Sequence, residues 1–385
     1  MIILFDVDGV LVHSRAYHLG LQKTVEYFGR RMGLTEPHTL TQAEIDLFEA
    51  NGVTVEWESS AICVAALLQA RLEQSRREEL RSAEFWALLD ALAAEPAAVP
   101  RPDFAGLARR VGAATRPGQR PSLAALEMFA APAGAPLYLI TLLGHCYDVH
   151  LSPTHQIVQN FALGHRGYAE CYGLTPHFEH PALLETEDTP LLSPELRERL
   201  LAERAAGRLW FALYTARPSR PPRDVATSPR GYTPEAEMAL ALLGLDGEAP
   251  TMALGKLEWA ARRVGRSAVE YVKPSPVQAL AAIAAARTGR EAEAIDAALA
   301  VQRGERLPDL YAACANEHIH VFEDSASSLR AVGHAVELLN GYGLNLRLTR
   351  HGIAPAGSPK HAALAPIADR IHTDINAGLQ AIWTA

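Results

Sequence analysis

Residues 2–12 read Ile2-Ile3-Leu4-Phe5-Asp6-Val7-Asp8-Gly9-Val10-Leu11-Val12. The apolar run 2–5 is short, continuous and cut off at Asp6, which suits a strand buried on both faces of a parallel sheet. Two carboxylates at i and i+2 past a strand end can serve one site. One attacks, the other exchanges a proton with the leaving group, and together they offer hard oxygen ligands to a divalent cation. In open α/β sheets such groups collect at the carboxyl ends of strands. Taken alone, the stretch also reads as an Asp-rich turn.

Working outward, apolar runs recur at 209–214, 269–272, 318–322 and 344–348. Helical punctuation lies between them. Thr233-Pro234 marks a helix start that Gly244 closes, and Ser275-Pro276-Val277-Gln278 reads as a capping box with proline in the first turn. Strands alternating with helices predict an α/β core with a central parallel sheet flanked by helices. Residues 13–205 carry little strand signal. Helical patterns at 17–28, 43–49, 60–81 and 83–94 are followed by proline-rich stretches at 95–102, 116–121 and 131–136. The expected organisation is a core formed by 1–14 and 205–385, with a helical insertion over 15–204. The charged run 71–81 reads as a solvated helix face, and 287–310 as an added helix with an exposed charged side.

Three further elements bear on chemistry. Thr215 follows the run 209–214, where a strand-end hydroxyl backed by turn amides can hold a phosphoryl oxygen. Lys273 lies between the run 269–272 and the helix start at Ser275, where an ammonium can neutralise a carboxylate nucleophile and a transferring phosphoryl group. Glu323-Asp324-Ser325 ends the run 318–322 and offers two more carboxylates. Each has an ordinary reading, as turn threonine, surface lysine or loop acid.

The ordered set resembles the haloacid dehalogenase (HAD) superfamily. FDVDGVLV is similar to its first motif, LYTARP to its second, VKPSP to its third and VFEDSASSLRA to its fourth. The FEDS form is similar to the subgroup of β-phosphoglucomutases and sugar-phosphate phosphatases. The resemblance implies a Rossmann-like core with a helical cap. It implies Asp6 as nucleophile, forming an aspartyl-phosphate, and Asp8 as general acid/base. Thr215 and the Ala216 amide would hold the phosphoryl group, with Lys273 orienting Asp6. Mg²⁺ would be bound by Asp6, the Asp8 carbonyl and Asp324, with Glu323 as a direct or water-mediated partner. Arg217 and His18, which lies twelve residues after Asp6, are further candidates for substrate contact. The implied reaction is Mg²⁺-dependent hydrolysis of a small phosphorylated metabolite. A phosphomutase would use the same residues, and a non-catalytic scaffold on this core is the alternative of another class. The chain departs from its relatives at His13, where Asp is common. The 207 positions from Asp8 to Thr215 and the 51 from Lys273 to Asp324 are also unusually long.

Composition narrows the classes. The 385 residues are 49% hydrophobic and 21% charged, a globular balance. A net charge of −8 argues against nucleic-acid or anionic-membrane partners. Cys63, Cys146, Cys171 and Cys314 are scattered without a CxxC pair, so neither a disulfide framework nor a thiolate zinc site is expected. Nor do His145, His150, His155, His165, His177 and His180 have the spacing of helical metal-ligand pairs. A cytoplasmic chain without signal or membrane segment is expected; substrate and oligomeric state stay open.

Overall fold

The computed structural model describes residues 1–75, 78–130, 134–228 and 230–384. The charged run 71–81 and the proline-rich stretch 131–136 therefore lie partly outside the described residues. The chain divides into a core unit, 1–14 with 188–385, and a helical unit, 15–187. The first boundary falls where the sequence placed it. The return falls at Asp188 rather than residue 205, because the helix Pro194–Ala205 buries Leu196 and Leu200 in the core unit's own apolar cluster.

The core unit is built on strands β1 (Ile2–Phe5), β4 (Trp210–Tyr214), β5 (Thr251–Met252), β6 (His318–Glu323), β7 (Arg347–Ile353) and β8 (Arg370–His372), after a small antiparallel pair of β2 (Val12–His13) and β3 (Thr189–Pro190). The six-stranded sheet has the order β5-β4-β1-β6-β7-β8, and its pairings are parallel. β1 lies in the middle and is wholly buried, because alternate side chains feed two different cores. Ile2 and Leu4 join Ala212, Tyr214, Ile319 and Val321 on one side, against the helices Pro276–Thr288 and Ala326–Gly341. Ile3 and Phe5 join Phe211, Leu213 and Phe322 on the other, against Pro194–Ala205, Glu235–Leu243 and Ile375–Trp383. This is an α/β, Rossmann-like core.

Helix Pro276–Thr288 is buried from Pro276 through Ala286, on every side. Its alanines explain this: small side chains let a helix sit between the sheet and outer helices without an exposed face. One of those outer helices, Glu291–Gln302, corrects the expectation for 287–310. Ala292, Ala294, Ile295 and Ala298 are buried, and even Glu291 is 1% exposed. Residues 269–272 are a second correction. They form no strand; Ala268–Glu270 is a short 3₁₀ turn with Val269 73% exposed, and β5 comes from Thr251–Met252 instead.

The helical unit contains the long helices Arg15–Arg31, Glu56–Ser75 and Pro153–Tyr172. The last is kinked at Gly164, whose φ of 67° and ψ of 169° are open to glycine, and where a Cβ would stand 2.6 Å from the Ala182 nitrogen. Arg71, expected on a solvated face, is buried and donates to the carbonyls of Met32, Leu92 and Glu95. The four cysteines are free thiols. Among the described residues, no helix is long and apolar enough to cross a membrane.

Candidate active site

Three of the parallel strands carry candidate residues at their carboxyl ends, and a loop supplies a fourth contribution. Asp6 and Asp8 follow β1, Thr215 follows β4, and Glu323 and Asp324 close β6. Lys273 enters from the loop after Tyr271, held by the helix Pro276–Thr288. Gly9 makes the approach possible: its φ is +73°, and a Cβ there would lie 2.5 Å from Asp324 Oδ2.

Lys273 Nζ is the hub. It donates to Asp6 Oδ1 at 2.9 Å and Glu323 Oε1 at 2.5 Å, and lies 4.9 Å from the Tyr214 ring centre. Burial disfavours the ammonium, but Asp6 and Glu323 together raise Lys273 well above its ordinary value. Asp6 is itself pushed well up, by burial first and then by the charge of Glu323, with Lys273 opposing. Burial also raises Glu323. The second Glu323 oxygen accepts the amides of Asp324 at 3.0 Å and Ser325 at 3.1 Å. Both oxygens of this fully buried side chain are thus engaged within the protein, so it anchors Lys273 and the turn.

Asp8 is set differently. Arg217 Nε lies 2.9 and 3.1 Å from its two oxygens, Arg217 Nη2 lies 2.6 Å from Oδ1, and the Ser14 hydroxyl donates to the same oxygen. Burial works to raise Asp8, but the charge and hydrogen bonds of Arg217, with Ser14, prevail and hold it below the ordinary carboxylate range. Arg217 is 3% exposed and also grips buried Asp188 at 2.8 Å. It was expected to contact substrate. Its guanidinium instead lies inside the protein and positions Asp8, a bidentate task to which arginine's planar fork is suited.

Thr215 is 1% exposed; its hydroxyl accepts the Arg217 amide at 3.2 Å, and its own amide donates to Met252 O at 3.2 Å. Ala216 beside it is exposed. His18 belongs to the helical unit, where its ring bonds Glu49 Oε1 at 2.9 Å and Gln42 Nε2 at 3.0 Å. The hydrogen bond to Glu49 raises its pKa despite burial.

The sequence reading missed three supports. Gln278 was expected to close a capping box. Ser275 does cap its helix, but Gln278 points inward. It donates to Thr215 O at 2.7 Å and Met252 O at 2.9 Å and accepts the Lys273 amide at 3.0 Å. One buried amide therefore ties together the loops that carry Thr215 and Lys273. Asp188 is the second support, and Lys360, whose ammonium lies against Asp324 Oδ2, is the third. Only the glutamine had a sequence signal, its place three residues after Ser275.

Asp6, Glu323 and Asp324 can each present an oxygen within 4.8 Å of the others, the one such potential metal-binding group among the described residues. None of the six histidines at 145–180 joins it. An all-oxygen, strongly anionic donor set fits a hard divalent cation such as Mg²⁺.

No protein-family model matches the sequence, and no curated protein does either. Among solved structures, the chain matches a crystal structure from the Northeast Structural Genomics Consortium with a TM-score of 0.63. The two are 14% identical, over 99% of this chain and 98% of that one. That likeness shows a shared fold. A hydrolase from Pseudomonas syringae also matches, at 14% identity over 99% and 97% of the two chains, but its TM-score of 0.33 is too low to bear on fold or activity.

Proposed function

We propose that the protein is a Mg²⁺-dependent phosphatase of the HAD type, acting on a small phosphorylated metabolite. The observation that carries this reading is the convergence of Asp6, Asp8, Thr215, Lys273 and Asp324 at one edge of the sheet, each with its own charge environment.

In this reading Asp6, Asp324 and the Asp8 carbonyl hold the cation, with Glu323 acting through the Lys273 ammonium. The bound cation supplies charge neutralisation for a phosphoryl group. Lys273 opposes the upward shift of Asp6, favouring its carboxylate form, and aims it. An Asp6 oxygen attacks phosphorus, the P–O bond to the leaving group breaks, and the leaving oxygen takes a proton from Asp8. Arg217 favours the Asp8 carboxylate, so the acid form needs a proton brought with the substrate. The same pairing suits the second half-reaction, in which Asp8 takes a proton from the water that attacks the aspartyl-phosphate and releases phosphate. Thr215 and the Ala216 amide hold the transferring oxygens.

The test is phosphate release from a panel of phosphorylated metabolites, with Mg²⁺ and with EDTA, using Asp6→Asn as control. Release that needs Mg²⁺ and disappears in the variant is expected. Release that is indifferent to both would sink the reading.

A further inference from the structure

The helical unit carries a pocket that the reaction above does not use. It measures about 440 Å³ and is formed entirely by residues of that unit: the helix Arg15–Arg31, Phe161 and the segment 178–180. That volume falls in the range of small-molecule sites. Its wall is aromatic. The Tyr27 and Phe178 ring centres lie 5.4 Å apart, those of Phe161 and Phe178 4.5 Å, and His180 meets Phe161 edge-on at 5.0 Å. Of these, Phe161 is buried while Tyr27, Phe178 and His180 are partly open.

The charge around those rings is cationic in a chain whose net charge is −8. Lys23, Arg30 and Arg31 line the pocket against one acid, Glu26. Glu26 is taken by Arg30 at 3.3 Å, and Arg31 is paired at 2.8 Å with Asp90, which does not line the pocket. Lys23 has no carboxylate partner among the described residues; its Nζ stands 5.9 Å from the centre of the Phe161 ring. A cation parked over an aromatic face in an open pocket is half solvated, and an arriving anion can recover its charge at small desolvation cost.

We infer that this pocket binds an aromatic anion, a planar ring system bearing a carboxylate or phosphate. The ring would stack among Tyr27, Phe161 and Phe178 while Lys23 takes the charged group. A simple anion would find the charge but not the stacking surface, and a neutral aromatic the reverse. The inference is independent of the phosphatase reading, since no pocket residue belongs to the core unit.

The experiment uses the full chain and 2-naphthoate as probe, with 2-naphthamide as neutral isostere, followed by calorimetry in the presence of EDTA. A carboxylate probe is chosen so that the phosphoryl site does not compete. Naphthoate should bind about tenfold more tightly than the amide at low salt, the difference expected for one partly desolvated charge pair. Lys23→Gln should bring the two probes to parity, and Phe178→Leu should weaken both. Lys23 is a partly exposed surface residue, so its variant should fold normally even if Phe178→Leu does not. Equal binding of the two probes, no binding, or naphthoate binding unchanged in Lys23→Gln would overturn the inference.

Discussion

β6 serves two regions that handle buried polar groups in opposite ways. Its end carries Glu323 and Asp324 into a cluster of full charges, in which Lys273 and Arg217 compensate the carboxylates. Its His318 and His320 point to the other face of the sheet, where a row of imidazoles crosses the strands. His320 Nδ1 lies 3.0 Å from His351 Nε2, and His351 Nδ1 lies 3.0 Å from His372 Nε2. Phe322 stacks on His351 at 4.4 Å. A neutral imidazole carries one donor and one acceptor, so each interior ring can pass a hydrogen bond along the row. The carboxylate cluster is balanced by opposite charge. The imidazole row is balanced by tautomer and stays neutral: burial, then neighbouring cations and imidazoles, pushes His320 and His351 down to about 3.

The contrast breaks first at Asp6. Asp6→Asn removes the attacking oxygen's charge, and phosphate release should fall by at least about a thousandfold with the thermal midpoint little changed. A variant of near-normal activity would mean that this end of the sheet is a charge cluster without covalent chemistry. Arg217→Met comes next. It takes the guanidinium away from buried Asp188 and from Asp8, and urea denaturation should show a loss of about 3–5 kcal/mol. A neutral result would show the two acids taking up protons and so becoming uncharged, as the buried histidines are.

Asp324→Asn and Glu323→Gln sharpen the division within the cluster. The first should weaken Mg²⁺ binding more, because in the proposed reading Asp324 would offer its carboxylate to the cation while Glu323 spends both oxygens on Lys273 and two amides. Mg²⁺ titration of both variants checks this, and equal losses would remove the distinction.

The smallest effect tests the imidazole row. His320 and His351 are held below the 6.5 of an ordinary histidine, so the unfolded chain takes up protons before the folded one does. Their contribution is therefore intact above pH 6.5 and is lost as pH falls from 6.5 towards 3. The slope is about 1.4 kcal/mol per pH unit for each histidine. Arg370 and the N-terminal ammonium reinforce the shift in His320; Arg370 and His372 do so in His351, where Asp369 opposes it. In His351→Gln, urea midpoints should start lower at pH 7 but decline less steeply below pH 6.5. An unchanged slope would show that the row titrates like exposed imidazole.

How much of this was legible differs by residue. Asp6, Asp8, Thr215, Lys273, Glu323 and Asp324 could be read in the chain because each sits next to a strand end or helix start, where local pattern and chemistry coincide. The strand expected at 269–272 was not there, although Lys273 beside it does meet Asp6 and Glu323. An apolar run of four cannot by itself distinguish strand from turn. Arg217 read as a substrate contact because a guanidinium after a strand end is local information, while its partners Asp8 and Asp188 are 209 and 29 positions away.

The sequence by itself determined the alternation of buried strands and helices, the insertion after the first strand, and the order of the acidic, hydroxyl and basic groups along the chain. These follow from short-range rules of periodicity, capping and strand ends. Only the tertiary structure decided which charges meet: that Lys273 joins Asp6 to Glu323, that Arg217 takes Asp8, that Gln278 turns away from its cap, and that three histidines from three strands share hydrogen bonds. Those pairings depend on sheet order and register, which bring together residues far apart in the chain, and burial then fixes what each group must do to be satisfied.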